Sequence, residues 1–147
     1  MDKNIAEIYN FLQEIAWNFG NHGFEGECCE DLSLVEFMAL KTACEKNNLT
    51  IREIGNAISF TKSGATRIID RLENKGYVKR ERSPLDGRVC CVPVTEKGAQ
   101  VISKIMEEKT RDLREMLKDL EPNTLDHIKE VLEVLLKAVQ PKEVIED

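Results

Sequence analysis

The stretch from Thr61 to Val94 constrains this chain most. Ala65, Ile68, Ile69 and Leu72 fall at i, i+3, i+4 and i+7, which places four apolar groups on one face of a helix. Thr61 is positioned to cap that helix and Gly76 to end it, after about Lys75, as a left-handed cap. Directly afterwards, "YVKRER" and "RVCCVPV" read as two strands joined by "SPLDG", whose Pro and Gly are turn residues. Pro93 supplies no backbone donor, so the second strand is expected at an edge or a bulge. Thr50 and Glu53 form a capping box that opens a short helix through Ile58, just upstream.

Two short helices, a tight turn and a hairpin make a winged helix-turn-helix. The rest of the chain reads as helices around it. Ile5, Ile8, Leu12, Ile15 and Phe19 recur at steps of three and four over residues 4 to 19, an apolar stripe suited to packing on another helix. Residues 20 to 31 hold three of the eight glycines and four acidic groups and read as a loop. Ser33 and Glu36 form another capping box, with Leu34, Phe37, Met38, Leu40 and Cys44 as the buried side of the helix that follows. Thr95 caps a long helix over about 96 to 120. Pro122 then suits a first helical turn, and Leu125, Ile128, Val131, Leu132, Leu135, Leu136 and Val139 line the last helix. The expected fold class is mainly α.

Charge is distributed unevenly over this framework. Residues 61 to 88 contain eight Lys and Arg against four Asp and Glu, within a chain of formal net charge -6. With the apolar face turned inward, Ser63 and Arg67 point outward, flanked by Gly64 and Thr66. Thr61, Lys62, Ser63, Thr66 and Arg67 are short polar and basic groups of the kind that contact phosphates and base edges. Arg71 extends the helix set, while Lys79, Arg80, Arg82 and Arg88 lie on the hairpin. Cations beside a duplex gain from counterion release, and Arg88 at the tip suits the narrower minor groove. Asp86 is expected to pair with an arginine and hold the tip. Gly64 has no side chain and permits close backbone approach. The leading partner is double-stranded DNA; an acidic protein docking on the same basic face is the alternative.

Other classes find less support. No apolar run approaches the roughly 20 residues needed to span a bilayer, so no membrane partner is expected. The N-terminal stretch lacks a small-residue cleavage site, which points to a cytoplasmic protein. Five cysteines, with Cys28-Cys29 and Cys90-Cys91 adjacent, are not a secreted disulfide framework. There is no phosphate-cradling glycine loop, no H-E-x-x-H and no C-x-x-C, so an enzyme is not expected and no cofactor is certain.

Residues 49 to 98 resemble the core of the MarR family of bacterial repressors (multiple antibiotic resistance regulators). The most specific element is the wing signature D-x-R followed by a strand and T-x-x-G, here Asp86, Arg88, Thr95 and Gly98; "RIIDRLENKGYVKR" matches as well. The resemblance implies a homodimer of winged-helix lobes joined by N- and C-terminal dimerisation helices. The chain then divides into residues 1–32 (dimerisation helix and loop), 33–98 (DNA-binding core) and 99–147 (dimerisation helices). A symmetric dimer presents two recognition helices to a palindromic operator, its half-sites about 34 Å apart. Carried over by position, Thr61, Lys62, Ser63, Thr66 and Arg67 match the recognition-helix contacts and Arg88 the wing-tip arginine. Ser59 stands where the family often has glycine in the turn, and Gly64 where a side chain is usual.

Members of the family commonly release DNA on meeting a phenolic ligand, an oxidant or a metal. Two readings of the sensor stay open here. Cys28 and Cys29, with His22, Glu25, Glu27 and Glu30, are candidates for a thiolate-bound metal or for oxidation. Cys90 and Cys91 on the wing strand are expected to point one inward and one outward, and Cys44 to sit in the core. Trp17, His22, Phe37 and Met38 are instead candidates for the lining of an organic inducer pocket.

Overall fold

The computed structural model describes residues 2–20 and 27–140, with side chains described from residue 30 onward in the second range. Two compact units are present, Met1–Ile105 and Met106–Asp147. The first holds helix α1 (Lys3–Gly20), strands β1 (Glu27–Cys29) and β2 (Leu32–Ser33), helices α2 (Leu34–Glu45), α3 (Ile51–Ala57) and α4 (Lys62–Asn74), strands β3 (Glu81–Arg82) and β4 (Cys90–Cys91), and the start of α5 (Glu96–Met116). The second holds the rest of α5 and all of α6 (Pro122–Val139).

The predicted caps form. Ser33 Oγ accepts from Glu36 N at 3.2 Å and Glu36 Oε1 accepts from Ser33 N at 3.2 Å. Thr50 and Glu53 close the same reciprocal pair at 3.1 and 3.2 Å. Thr61 Oγ1 accepts from Gly64 N at 3.1 Å, and Gly76 ends α4 at φ +82°. Each cap satisfies donors that a helix start would otherwise leave unpaired. The α3–α4 turn runs through Ser59 at φ +60°, a left-handed position that costs an L-residue about 1 kcal/mol. Ser59→Gly is therefore expected to raise stability by roughly 0.5–1 kcal/mol, read as a higher denaturant midpoint at unchanged m-value.

Ala65, Ile68, Ile69 and Leu72 are buried as the spacing predicts, joining Leu32, Leu40, Leu49, Ile54, Val78, Val92 and Ile105 in the core of the first unit. The buried side of α2 differs from expectation. Ala39, Leu40 and Ala43 are inside with Glu36, Phe37 and Cys44 are partly buried, and Leu34 and Met38 are exposed. The inward stripe runs through Glu36, Leu40 and Ala43 at steps of four and three, which turns Leu34 and Met38 to the rim. Residues 20 to 31 are not all loop, since β1 pairs antiparallel with β2. The pairing is led by Leu32, which is fully buried.

The wing is shorter than the alternation suggested. Only Glu81–Arg82 pairs with Cys90–Cys91 as a ladder, with single bridges Val78↔Val94 and Thr50↔Cys91. Tyr77, Val78 and Val92 go into the core, and Val92 N donates to Leu49 O at 2.8 Å, away from the first wing strand. The long helix stops at Met116, earlier than the predicted 120, and α6 starts with Pro122 in its first turn. Among the described residues, no helix is long and apolar enough to cross a membrane.

Candidate nucleic-acid interface

Along α4, the residues opposite the buried face are Ser63, Arg67, Asp70 and Asn74, all exposed, with Lys62 and Arg71 exposed beside them. Two of the predicted hydroxyls are engaged within the helix. Thr61 Oγ1 caps Gly64 N and lies 3.3 Å from Ser63 Oγ, while Thr66 Oγ1 donates to Lys62 O at 2.8 Å. Lys62, Arg67 and Arg71 make no ion pair among the described residues.

Not every cation in this segment faces outward for a ligand. Arg80 at the wing root binds Asp70 Oδ1 with one guanidinium nitrogen and Glu73 Oε1, at 3.0 Å, with another. Asp70 foremost, then Glu73, raises the guanidinium pKa. Lys75 turns inward, 2.9 Å from Glu36 Oε2, and its ammonium also donates to Asp31 O. Glu36 is 5% exposed, and Oε2 accepts no well-directed hydrogen bond among the described residues, so charge holds this pair. Burial pushes the Glu36 carboxyl up, but Lys75 and the hydrogen bonds from Ser33 outweigh it and bring its pKa below the ordinary glutamate value. Beside it, burial and then the 2.6 Å hydrogen bond to Asp31 push the Tyr77 hydroxyl up to about 12. Neither arrangement was legible from local spacing, because each joins residues distant in the chain.

On the wing, Arg82, Gly87 and Arg88 line one open groove together with Cys90. Among the described residues, Asp86 does not pair with an arginine side chain. Its Oδ1 accepts from Arg88 N at 3.0 Å and its carbonyl accepts from Val89 N at 3.0 Å, because an aspartate in a turn bonds most readily to backbone two residues on. Thr95 and Gly98 form a lock at the root. Thr95 Oγ1 donates to Gly76 O at 2.7 Å and accepts from Gly98 N at 3.1 Å, and Thr95 N donates to Tyr77 O at 3.0 Å. The end of α4 and the start of α5 are thereby joined.

The candidate sensor residues are not brought together by what is described. His22 and Glu25 lie outside the described residues, as do the side chains of Glu27, Cys28 and Cys29. Glu30 pairs with Lys104 at 2.9 Å. Cys90 and Cys91 are both half-buried, instead of one inward and one outward, with Cys90 opposite Arg82 at the turn end of the ladder. Burial pushes the Cys44 thiol up, as suits its place against the core. Trp17 is 68% exposed on α1, whereas Phe37 packs on the core. Among the described residues, no group of three or more His, Cys, Asp or Glu is placed to hold a metal.

A sequence profile described as the MarR family matches residues 32–90. The fold also superposes on a MarR family protein from Bacillus stearothermophilus with a TM-score of 0.81 at 28% identity, covering 94% of this chain and 97% of that one. Over this core the chain is similar to MarR-family proteins. Its winged helix-turn-helix is the fold expected from the residues. Among its relatives, the HTH-type transcriptional regulator MhqR of Bacillus subtilis (strain 168) is 29% identical over 101 residues, 69% of this chain and 70% of that protein. The transcriptional repressor MprA of Escherichia coli (strain K12) is 28% identical over 109 residues, 73% of this chain and 62% of that protein. The MarR wing signature has mechanical roles here: Asp86 shapes the tip, and Thr95 with Gly98 fixes the root.

Proposed function

We propose that this DNA-binding transcriptional regulator is a cytoplasmic homodimer that represses from a palindromic operator and releases it on binding a small ligand, an oxidant or a metal. The observation that carries the reading is a division of labour among the cations. Arg80 and Lys75 are neutralised inside the fold, whereas Lys62, Arg67 and Arg71 on α4 and Arg82 and Arg88 on the wing stay exposed. Exposed cations concentrated on a helix and its adjoining wing are the footprint of a polyanion site. The name of MprA supports a repressor. Dimerisation through residues 1–32 and 99–147 is supported by Ile5, Ile8, Ile15 and Phe19, exposed on α1, and by α6, which has no buried residue. Two such stripes left uncovered in one chain suit a second copy.

The test is binding to operator duplexes selected from a random pool, over a range of salt. Arg67→Ala is expected to weaken operator binding by roughly 1–2 kcal/mol and to relax discrimination. Arg88→Ala is expected to lower affinity and flatten the salt slope by about one unit without changing the melting temperature. Absence of duplex binding at low salt would favour the acidic protein partner instead. Titrating the complex with zinc, arsenite, peroxide and salicylate, repeated with Cys28→Ser and Cys29→Ser, separates the release mechanisms.

A further inference from the structure

We propose that Phe60 is a specificity-determining residue, an apolar reader of a thymine methyl at the major-groove end of α4; the proposal rests on the DNA-binding reading above. Phe60 is 41% exposed, and scattered exposed apolar residues are ordinary on protein surfaces. What distinguishes this one is how it is held. Ser59, in its left-handed conformation, reverses the chain so that Phe60 N donates to Gly55 O at 2.8 Å. A Cβ at Gly64 would lie 3.3 Å from Phe60 Cδ1 and 3.2 Å from Thr61 Oγ1. The missing side chain at Gly64 therefore gives the Phe60 ring its seat against the first turn of α4. Both departures from the family pattern, Ser59 and Gly64, thus converge on the placement of one ring.

The surroundings indicate what that ring meets. Gly64, Arg67 and Arg71 succeed one another at steps of three and four, so they share one stripe of the helix. Phe60 sits at the head of that stripe, where the other side chains are cationic and exposed. At the same end, the Thr61 and Thr66 hydroxyls are engaged with helix backbone, which lowers their capacity for base-edge hydrogen bonds. The major groove offers one apolar feature, the C5-methyl of thymine, and phenylalanine is among the side chains that contact it. A basic stripe headed by a fixed aromatic edge matches a half-site in which thymine lies next to the bases or phosphates reached by Arg67.

The test uses the full chain and a duplex enriched from a randomised pool, with each thymidine in turn replaced by deoxyuridine. That change removes one methyl and leaves every hydrogen-bonding edge intact. Wild type is expected to lose about fourfold in affinity at the contacted position, the value of one buried methyl. Phe60→Ala is expected to bind the thymidine duplex more weakly and to be indifferent to deoxyuridine there. Phe60→Leu, which keeps an apolar group of similar reach, retains part of the sensitivity and guards against a folding defect in the alanine variant. Equal affinity of wild type for all the deoxyuridine duplexes overturns the proposal. Undiminished sensitivity in Phe60→Ala overturns it as well and assigns the methyl contact elsewhere. If no duplex is enriched at all, the DNA-binding reading itself fails and this inference goes with it.

Discussion

Gly98→Ala is expected to cost about 3 kcal/mol or more of folding stability, at the upper end of what overpacking a tight site does. A Cβ there would lie 2.2 Å from the Tyr77 carbonyl oxygen, 2.8 Å from Val94 Cγ1 and 3.0 Å from the Tyr77 carbonyl carbon. Backbone atoms cannot swing aside as a side-chain end can, so α5 has to move away from the end of α4. That movement breaks the hydrogen bonds from Thr95 N to Tyr77 O and from Thr95 Oγ1 to Gly76 O. The melting temperature is expected to fall by roughly 6–12 °C, and a change of less than a degree or two would show that the lock is slack. Operator affinity falls with it, since the wing and α4 are positioned from the same point.

Lys75→Met is expected to cost about 3 kcal/mol near neutral pH, because it strands the Glu36 carboxylate in the core without its counterion. Glu36 also caps α2 through Ser33, so the loss reaches the helix packed on α4. The pH dependence distinguishes this cause from simple loss of packing. In wild type the folded Glu36 pKa is lowered below 4.5, so its contribution is fully present above that value and is lost as pH falls through the lowered one. With the ammonium gone, only the hydrogen bonds from Ser33 still oppose burial, so the folded pKa is expected to rise. The variant's penalty therefore shrinks as acid protonates the carboxyl. Denaturation curves at pH 7 and pH 4 check this, and a penalty independent of pH would refute the ion-pair account. Glu36→Gln with Lys75→Met is expected to recover most of the loss.

What was legible in the sequence divides by the range of the interaction. Ser33, Thr50 and Thr61 were readable as caps because a cap is completed within four residues, and the buried face of α4 was readable because 3.6-residue periodicity is local. Exposed Arg67 follows from that same periodicity, and exposed Arg88 from the Pro and Gly of the hairpin turn. The roles of Arg80 and Lys75 were not readable, since a cation's partner across the fold leaves no mark in local spacing, and composition alone counted both among the surface charges. The wing strands were overextended for a related reason. Alternation in "RVCCVPV" describes side chains, whereas the ladder is interrupted where Val92 N turns to Leu49 O. Asp86 was assigned to the right turn but to the wrong partner, because charge suggested an arginine where the turn offered a backbone amide.

The double ion pair of Arg80 has a consequence for a helix that approaches a polyanion. Asp70 and Glu73 would otherwise bring two negative groups toward the phosphates they ought to avoid. Arg80 answers both from within the chain. On the proposed DNA-binding reading, docking is thereby relieved of an intrinsic repulsion by a half-buried residue at the root of the wing.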